Sequence, residues 1–491
     1  MRLPITATAL STALLLASCA ATPAPQAAPR TACPAADPRL SGQWAQGPAA
    51  FEHADSGRSH VFDTLISPSA RDIAPGSPVP VRLDVWADLP GIYNLAIPAP
   101  GELYALGGIT GRGALAPYVV RLSGEDGRVV WRTPLRPAAD SPVTQWTYPG
   151  VIGVAANGDV YAVQDAVLYR VARDTGAILG RLDLPTRGEA RNTAYNGFTA
   201  TADGKLVMKS HHRPPDCAVD GFQAFVACGT EGASASVFAV VDPDTMTLLA
   251  RADAPELIGG RITATRHGGR DLIYAPGVDA LHRYVWDGQR LTYDSEWGPQ
   301  PYRQGDETPA TAAGVMGDFV ILQTNALPSP APTRLIALAQ DNSGRRFETV
   351  PFAGSARSFI PSMPSVDVAL GLVFVTDGLA PGLAAIRFDP ASGFTPVWRA
   401  EQGSLSFSAL IGPPEARVLI ATDMADGYRQ DYTQERLVWR DAATGEELAR
   451  SAPFGRLGGT VIAPDCNGVV YAPAPRDATL NRLALTLPDK R

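Results

Sequence analysis

Thiols are the residues of this chain whose surroundings say most about chemistry. Five occur in 491 residues: Cys19, Cys33, Cys217, Cys228 and Cys466. No CxxC pair is present, and no Cys/His spacing suits a tetrahedral zinc site. Cys19 stands apart, because it closes the run Leu16-Ala17-Ser18-Cys19 directly after a short apolar stretch. With Cys19 set aside, four thiols remain, the number that two disulfides in an oxidising compartment would use. Cys217 and Cys228 are close enough to staple one loop, which would leave Cys33 to pair with Cys466. Closing so long a loop removes about 5 kcal/mol of unfolded-state entropy. Two of the six histidines lie beside the expected staple, in Lys209-Ser210-His211-His212-Arg213-Pro214-Pro215-Asp216-Cys217. A disulfide would pre-organise that segment to shape a pocket or cap a channel. His211 and His212 would point to opposite faces of a strand, so they could not easily share one metal ion.

Elements that deliver these residues can be read from the amino terminus onward. Met1-Arg2, a short apolar core and small residues before Cys19 describe an export signal over residues 1–18, too short to span a bilayer permanently. Leu-Ala-Ser-Cys resembles the lipobox of bacterial lipoproteins. That resemblance implies lipid on the Cys19 thiol and cleavage before it. Ala20 in the next position implies the periplasmic face of the outer membrane. Residues 19–39 are rich in Ala and Pro and bury too little apolar area to fold, so they read as a tether. Residues 40–78 read as an irregular N-terminal segment. The net charge of -7 argues against a nucleic-acid partner. The longest later apolar stretch, Val366 to Ile386, is interrupted by Asp367, Asp377 and glycines, as strands and turns would be.

From residue 79 to residue 491 the chain repeats itself. One hairpin signature, a short apolar strand, a Gly turn and a second strand, occurs eight times, as at Ala156-Asn157-Gly158-Asp159-Val160 and Ala202-Asp203-Gly204-Lys205-Leu206. A second signature, Asp-x-x-(Ser/Thr)-Gly between strands, alternates with it seven times. Arg173-Asp174-Thr175-Gly176 and Asp441-Ala442-Ala443-Thr444-Gly445 are clear copies. Two hairpins make a four-stranded sheet, and such sheets repeated about an axis make an all-β propeller. Eight blades are expected, with seven as the alternative count. The eighth lacks an outer strand after Leu480 to Leu485. Val79 to Ala87, which alternates apolar and polar residues, is the natural donor to close the ring.

The Asp-x-x-Thr-Gly pattern, ending on Trp in some copies, resembles the PQQ-like propeller repeat, and in particular the BamB-type outer-membrane lipoprotein scaffolds. The resemblance covers roughly residues 80 to 487. It implies a propeller that binds a protein partner or a small ligand and carries no cofactor. Quinone-dependent dehydrogenases with a similar repeat use adjacent cysteines, and this chain has no Cys-Cys pair.

In a propeller the loops that enter the innermost strands converge on one mouth of the central channel. Here those loops hold Tyr93-Asn94, Trp146 to Tyr148, Tyr195-Asn196, Arg261, Asp306-Glu307, Arg357-Ser358, Ser406 and Arg456. They lack a histidine and an activated serine, which favours a binding face over a catalytic centre. Tyr195-Asn196-Gly197-Phe198 also resembles a segment of calcium-dependent lactonase propellers. That resemblance implies Asn196 as a calcium ligand, with Asp306 and Glu307 as acidic partners, in a hydrolase or lyase.

Overall fold

The structure is a computed structural model that describes residues 44–45, 47–62, 79–108, 117–135, 148–187, 192–219, 221, 223–326, 331–355, 358–359, 362–380 and 382–486. The chain divides into two units, residues 1–32 and 33–491, and every described residue belongs to the second. Cys19, Cys33 and Arg357 therefore lie outside the described residues, as do the signal and tether segments.

Eight blades form a ring, each built on four antiparallel strands, with extra short strands added to blades four and seven. Blade one runs Asn94–Ala99, Glu102–Gly107, Tyr118–Ser123 and Val129–Pro134, from the axis outward. Its burial falls along that order: the second strand is almost wholly buried and the fourth is mostly exposed. Neighbouring blades cover both faces of the inner strands, so these read as continuous apolar runs. The outer strands instead alternate or face water.

Where Asp heads the second hairpin signature, it holds its own turn, as in blades six and seven. Asp441 Oδ1 accepts from the Ala443 and Thr444 backbone amides at 3.0 and 2.8 Å, and Asp389 treats Ala391 and Ser392 in the same way. The Trp of the signature belongs to a contact between blades. Trp131 of blade one lies against Gly176 in the turn of blade two, and its Nε1 donates to Arg173 O at 3.2 Å. Trp398 of blade six meets Gly445 of blade seven in the same manner, with Nε1 donating to Ala442 O at 3.0 Å. A Cβ on Gly176 would stand 2.6 Å from the Trp131 ring, and the φ of +73° there already disfavours a side chain. Phe347 takes the place of the indole on Gly393, whereas at the boundary of blades two and three Met246 stands in the turn with a φ of +54° and packs on Gly180 of the outer strand.

Val81–Trp86 pairs antiparallel with Thr479–Leu485 and is the outer strand of blade eight, the closure expected from the sequence. Asp84 and Arg482 add an ion pair across that seam. The borrowed strand joins the two ends of the propeller sequence in one sheet, so the ring closes by hydrogen bonds.

Residues 44–62 do not lie outside the ring. They thread its centre. Ala49 pairs with Ile97 of blade one, and Phe51 with Gly153 of blade two. Ser56 Oγ accepts from Ala200 N of blade three. The carbonyls of Ser56, Gly57, Ser59 and His60 then accept from Ala264, Val315, Val366 and Leu410, in blades four to seven. Val61–Phe62 ends the segment as a short parallel strand on Ala409–Ile411. This plug turns tightly enough that His53, Ala54, Arg58 and His60 all take left-handed backbone conformations, with φ between +56° and +73°.

Replacing Gly176 by Ala should lower stability by about 1 to 3 kcal/mol, through positive φ and the collision with Trp131. Val130→Ala on the exposed outer strand should change it by less than about 0.5 kcal/mol. Urea midpoints of the two variants check both.

Candidate functional site

The plug carries a charged layer into the channel. Arg58 Nη1 reaches Glu52 Oε1 at 2.9 Å, and Arg261 Nε reaches the same oxygen at 3.2 Å. Arg58 Nε donates to Ile262 O at 2.7 Å. Burial by itself would raise the Glu52 pKa, but Arg261, His53 and Arg58 hold it well below the usual carboxylate range. Beneath this layer Trp44 stacks on Phe51 with ring centroids 4.0 Å apart, and Phe198 packs beside both. The result is an aromatic layer in which the Trp44 indole nitrogen donates to Ser56 Oγ.

Two plug histidines share the charged layer. The His53 and His60 rings stack at 4.6 Å, and Phe407 meets His53 edge-on at 4.5 Å. His60 Nδ1 lies 2.8 Å from Ser408 O, which fixes the proton on that nitrogen. Burial pushes His53 down to about 4 against the pull of Glu52, and pushes His60 well below its ordinary value.

Arg261 carries the layer up to the mouth. Its guanidinium lies over the Phe407 ring at 5.3 Å and the Tyr93 ring at 6.0 Å, and Tyr93 Oη donates to Gly459 O. Gly197 opens the wall beside it: a Cβ there would touch Arg261 Cγ and Glu52 Oε1, each at 3.8 Å. Asn196, the residue before, is buried against Tyr148. Arg261, Asn196, Tyr93 and Tyr148 are thus brought together as the converging loops imply.

The remaining sequence candidates sit elsewhere. Tyr195 turns away from the channel into the packing between blades, and its hydroxyl donates to Pro185 O at 2.5 Å. His211 and His212 are not on an exposed loop, because Leu206–His212 is a fully buried strand of blade three. His211 is sandwiched between Tyr148 at 4.5 Å and Phe225 at 4.8 Å. His212, on the opposite face, meets Thr193 and Ser210. The inserted loop begins after them. It carries the short helix Gln223–Cys228 and the Cys217–Cys228 disulfide, and it packs Phe225 and Ala224 over Tyr148. The staple therefore braces one wall of the mouth. Cys466 is also disulfide-bonded; Cys33, the partner expected for it, lies outside the described residues.

Asp306 is exposed, and Glu307 is committed to Arg334 at 2.8 Å. Neither joins Asn196, whose neighbour Gly197 faces a guanidinium, a poor surrounding for a cation. Among the described residues no three His, Cys, Asp or Glu side chains are placed to hold a metal ion. The calcium-ligand set implied by the lactonase-like segment does not fit this mouth.

Glu52, His53, Arg58 and His60 were missed by sequence reading. The segment His53-Ala54-Asp55-Ser56-Gly57-Arg58 spells an ordinary polar turn. Its charge and histidine content were the only hint that it is buried.

A histidine whose folded pKa lies below its unfolded value of about 6.5 binds its proton less well in the folded state. Stability should therefore be complete above pH 6.5 and fall as the pH drops towards 4, by on the order of 1 to 3 kcal/mol for each buried histidine. Urea midpoints at pH 7.5 and pH 4.5 measure this, and His53→Leu should make the slope shallower. Glu52→Gln should cost about 3 kcal/mol or more at neutral pH, because two buried guanidiniums lose their shared counter-ion. Thermal melts compare it with wild type. Chelator treatment should leave the melting temperature unchanged.

No protein-family model matches the sequence, and no curated protein matches it. Solved structures do resemble the fold. A quinohemoprotein alcohol dehydrogenase from Comamonas testosteroni superposes with a TM-score of 0.58 at 12% identity, over 90% of this chain and 82% of that one. A quinohemoprotein alcohol dehydrogenase from Pseudomonas putida HK5 gives 0.52 at 12% identity, over 92% and 81%. BamB from Moraxella catarrhalis gives 0.42 at 11% identity, over 86% and 99%, too distant a superposition to bear on function. At these identities the likeness is one of fold and does not carry activity. The chain is an eight-bladed β-propeller, consistent with the PQQ-like repeat read from its turns.

Proposed function

We propose that this chain is a lipid-anchored periplasmic binding module, held at the outer membrane through Cys19 and working through the loop face around the channel mouth. The observation that carries the reading is the plugged channel. Segment 44–62 runs around the inside of the ring and hydrogen-bonds to blades one to seven, so its buried Glu52, His53, Arg58 and His60 fill the channel inside the mouth. Its wall and floor offer Arg261, Tyr93, Tyr148, Asn196 and Phe407, groups that hold and orient a molecule. No nucleophile stands beside a base there among the described residues, which favours retention over turnover.

The address rests on the lipobox-like Leu16-Ala17-Ser18-Cys19 and on the oxidised Cys217–Cys228 pair, which suits a compartment outside the cytoplasm. Among the described residues no helix is long and apolar enough to cross a membrane, so the lipid would be the means of attachment in this reading.

Two measurements test the proposal. Cys19→Ala should move the protein from the membrane fraction to the soluble periplasmic fraction, as read by fractionation and intact mass. Purification from detergent-solubilised membranes should return a stoichiometric protein or small-molecule partner that is lost when Tyr93 and Tyr148 are changed to Ala. Turnover of a small molecule with no retained partner would sink the binding reading.

A further inference from the structure

The outer strands of five blades share an irregularity. Each carries one residue that the pairing with the third strand skips: Val130 in blade one, Leu179 in blade two, Leu249 in blade three, Val397 in blade six and Leu448 in blade seven. These are β-bulges at sheet edges, and every bulged residue is aliphatic. In all five strands Arg stands two residues beyond the bulge, so the positions are equivalent. A bulge interrupts the ladder an edge can offer, so only a short segment can pair beside it.

One of the five bulges is covered by the chain itself. Val79 N donates to Leu448 O at 2.9 Å, and Val79 bridges Ala449 in the parallel sense. Both side chains belong to one apolar cluster, and Leu448 is 4% exposed. Val130, Leu179, Leu249 and Val397 stand 41 to 54% exposed. In the sequence Val79 lies between Pro78 and Pro80, so its amide is the one backbone donor of those three residues. The cover therefore consists of an aliphatic side chain and a lone amide, with prolines that stop the pairing from spreading.

The ring thus holds one occupied copy of a seat and exposed copies of it. Blades one to three present the fullest copies, because each places a second exposed aliphatic residue before the bulge: Val129, Ile178 and Leu248. In blade six that position is Pro396, which blunts an edge. We propose that blades one to three each take up a short extended segment of a partner protein, an aliphatic residue flanked by prolines, running parallel to the outer strand. Its amide would donate to the carbonyl of Val130, Leu179 or Leu249, and its side chain would cover the bulge, as Val79 does on blade seven. Strand addition of this kind draws affinity from the backbone and selectivity from the side-chain seat. The seats lie on the outer edges of the blades and not at the channel mouth, so the inference goes beyond the mouth-binding reading and does not depend on it.

The probe is an acetylated, amidated peptide with the sequence of residues 76–80, Gly-Ser-Pro-Val-Pro, in which a diazirine-bearing leucine analogue replaces the valine. Irradiated with the purified full chain, it should label residues 129–132, 178–181 and 248–251, as mapped by tandem mass spectrometry. It should spare Arg346–Thr349, the outer strand of blade five, which has no bulge. The plain valine peptide should compete, and its N-methylvaline form, which lacks the donor, should compete at least about fivefold more weakly. Leu179→Lys should cut labelling of its own strand at least about fivefold, leave blades one and three unchanged, and melt as wild type does. Absence of labelling at up to about 5 mM peptide would overturn the proposal, as would uniform labelling of all outer strands or equal competition by the two peptides. Sedimentation showing a dimer of the full chain that Leu179→Lys abolishes would assign the edge to a second copy and overturn it too. Each of these results leaves the mouth-binding reading to its own test.

Discussion

The inner edges of the propeller blades impose the constraint on which the channel depends. Each innermost strand pairs on one side with its own blade, and its other edge faces the axis with unpaired amides and carbonyls. No regular strand can serve them all, because the partners lie around a ring and point in successive directions. The segment from Trp44 to Phe62 meets seven blades, through a few hydrogen bonds and bridges to blades one and two, scattered bonds to blades three to six, and a two-residue parallel pairing on blade seven. Following that curve needs left-handed turns at His53, Ala54, Arg58 and His60, conformations that L-residues resist. Hydrogen bonds to the blades and the stacked Trp44–Phe51 pair offset that resistance.

What the plug brings with it shapes the mouth. Carrying Glu52 to the axis places a carboxylate under Arg261, and that pairing holds the guanidinium beneath Tyr93 and Phe407. The inserted loop of blade three acts from above. Its disulfide holds Phe225 against His211, and His211 in turn against Tyr148. Two segments far apart in the chain thus brace one mouth, the first through Glu52 and the inserted loop through Phe225. The blades and their entering loops supply Arg261, Tyr93, Tyr148, Asn196 and Phe407 between them.

Contacts between blades explain why the repeat is visible at all. In the clearest copies Asp at the head of the second hairpin folds the turn, Gly gives it positive φ, and Trp from the neighbouring blade lies against the Gly, as at Asp441, Gly445 and Trp398. A contact that recurs at several blade boundaries, with Trp86, Trp131, Phe347 and Trp398 each on a turn Gly of the next blade, leaves a recurrent spelling. The hairpin signatures therefore pointed to eight blades, with seven as the alternative, to their four strands and to the missing eighth outer strand, which Val81–Trp86 supplies.

The sequence by itself determined the repeat, the ring closure, the Cys217–Cys228 staple and the convergence of Arg261, Asn196, Tyr93 and Tyr148, because each follows from local turn chemistry or from a position repeated in every blade. Only the tertiary structure decided the rest. His211 and His212 are wholly buried because packing against Tyr148 and Phe225 covers the end of the blade-three strand. Tyr195 faces a blade boundary because strand alternation sends it away from the channel side, where Asn196 lies. Residues 44–62 carry no periodicity and no turn signature that recurs. Their hydrogen bonds go to seven different blades, so nothing in the local order of residues reveals that Glu52, His53, Arg58 and His60 occupy the axis.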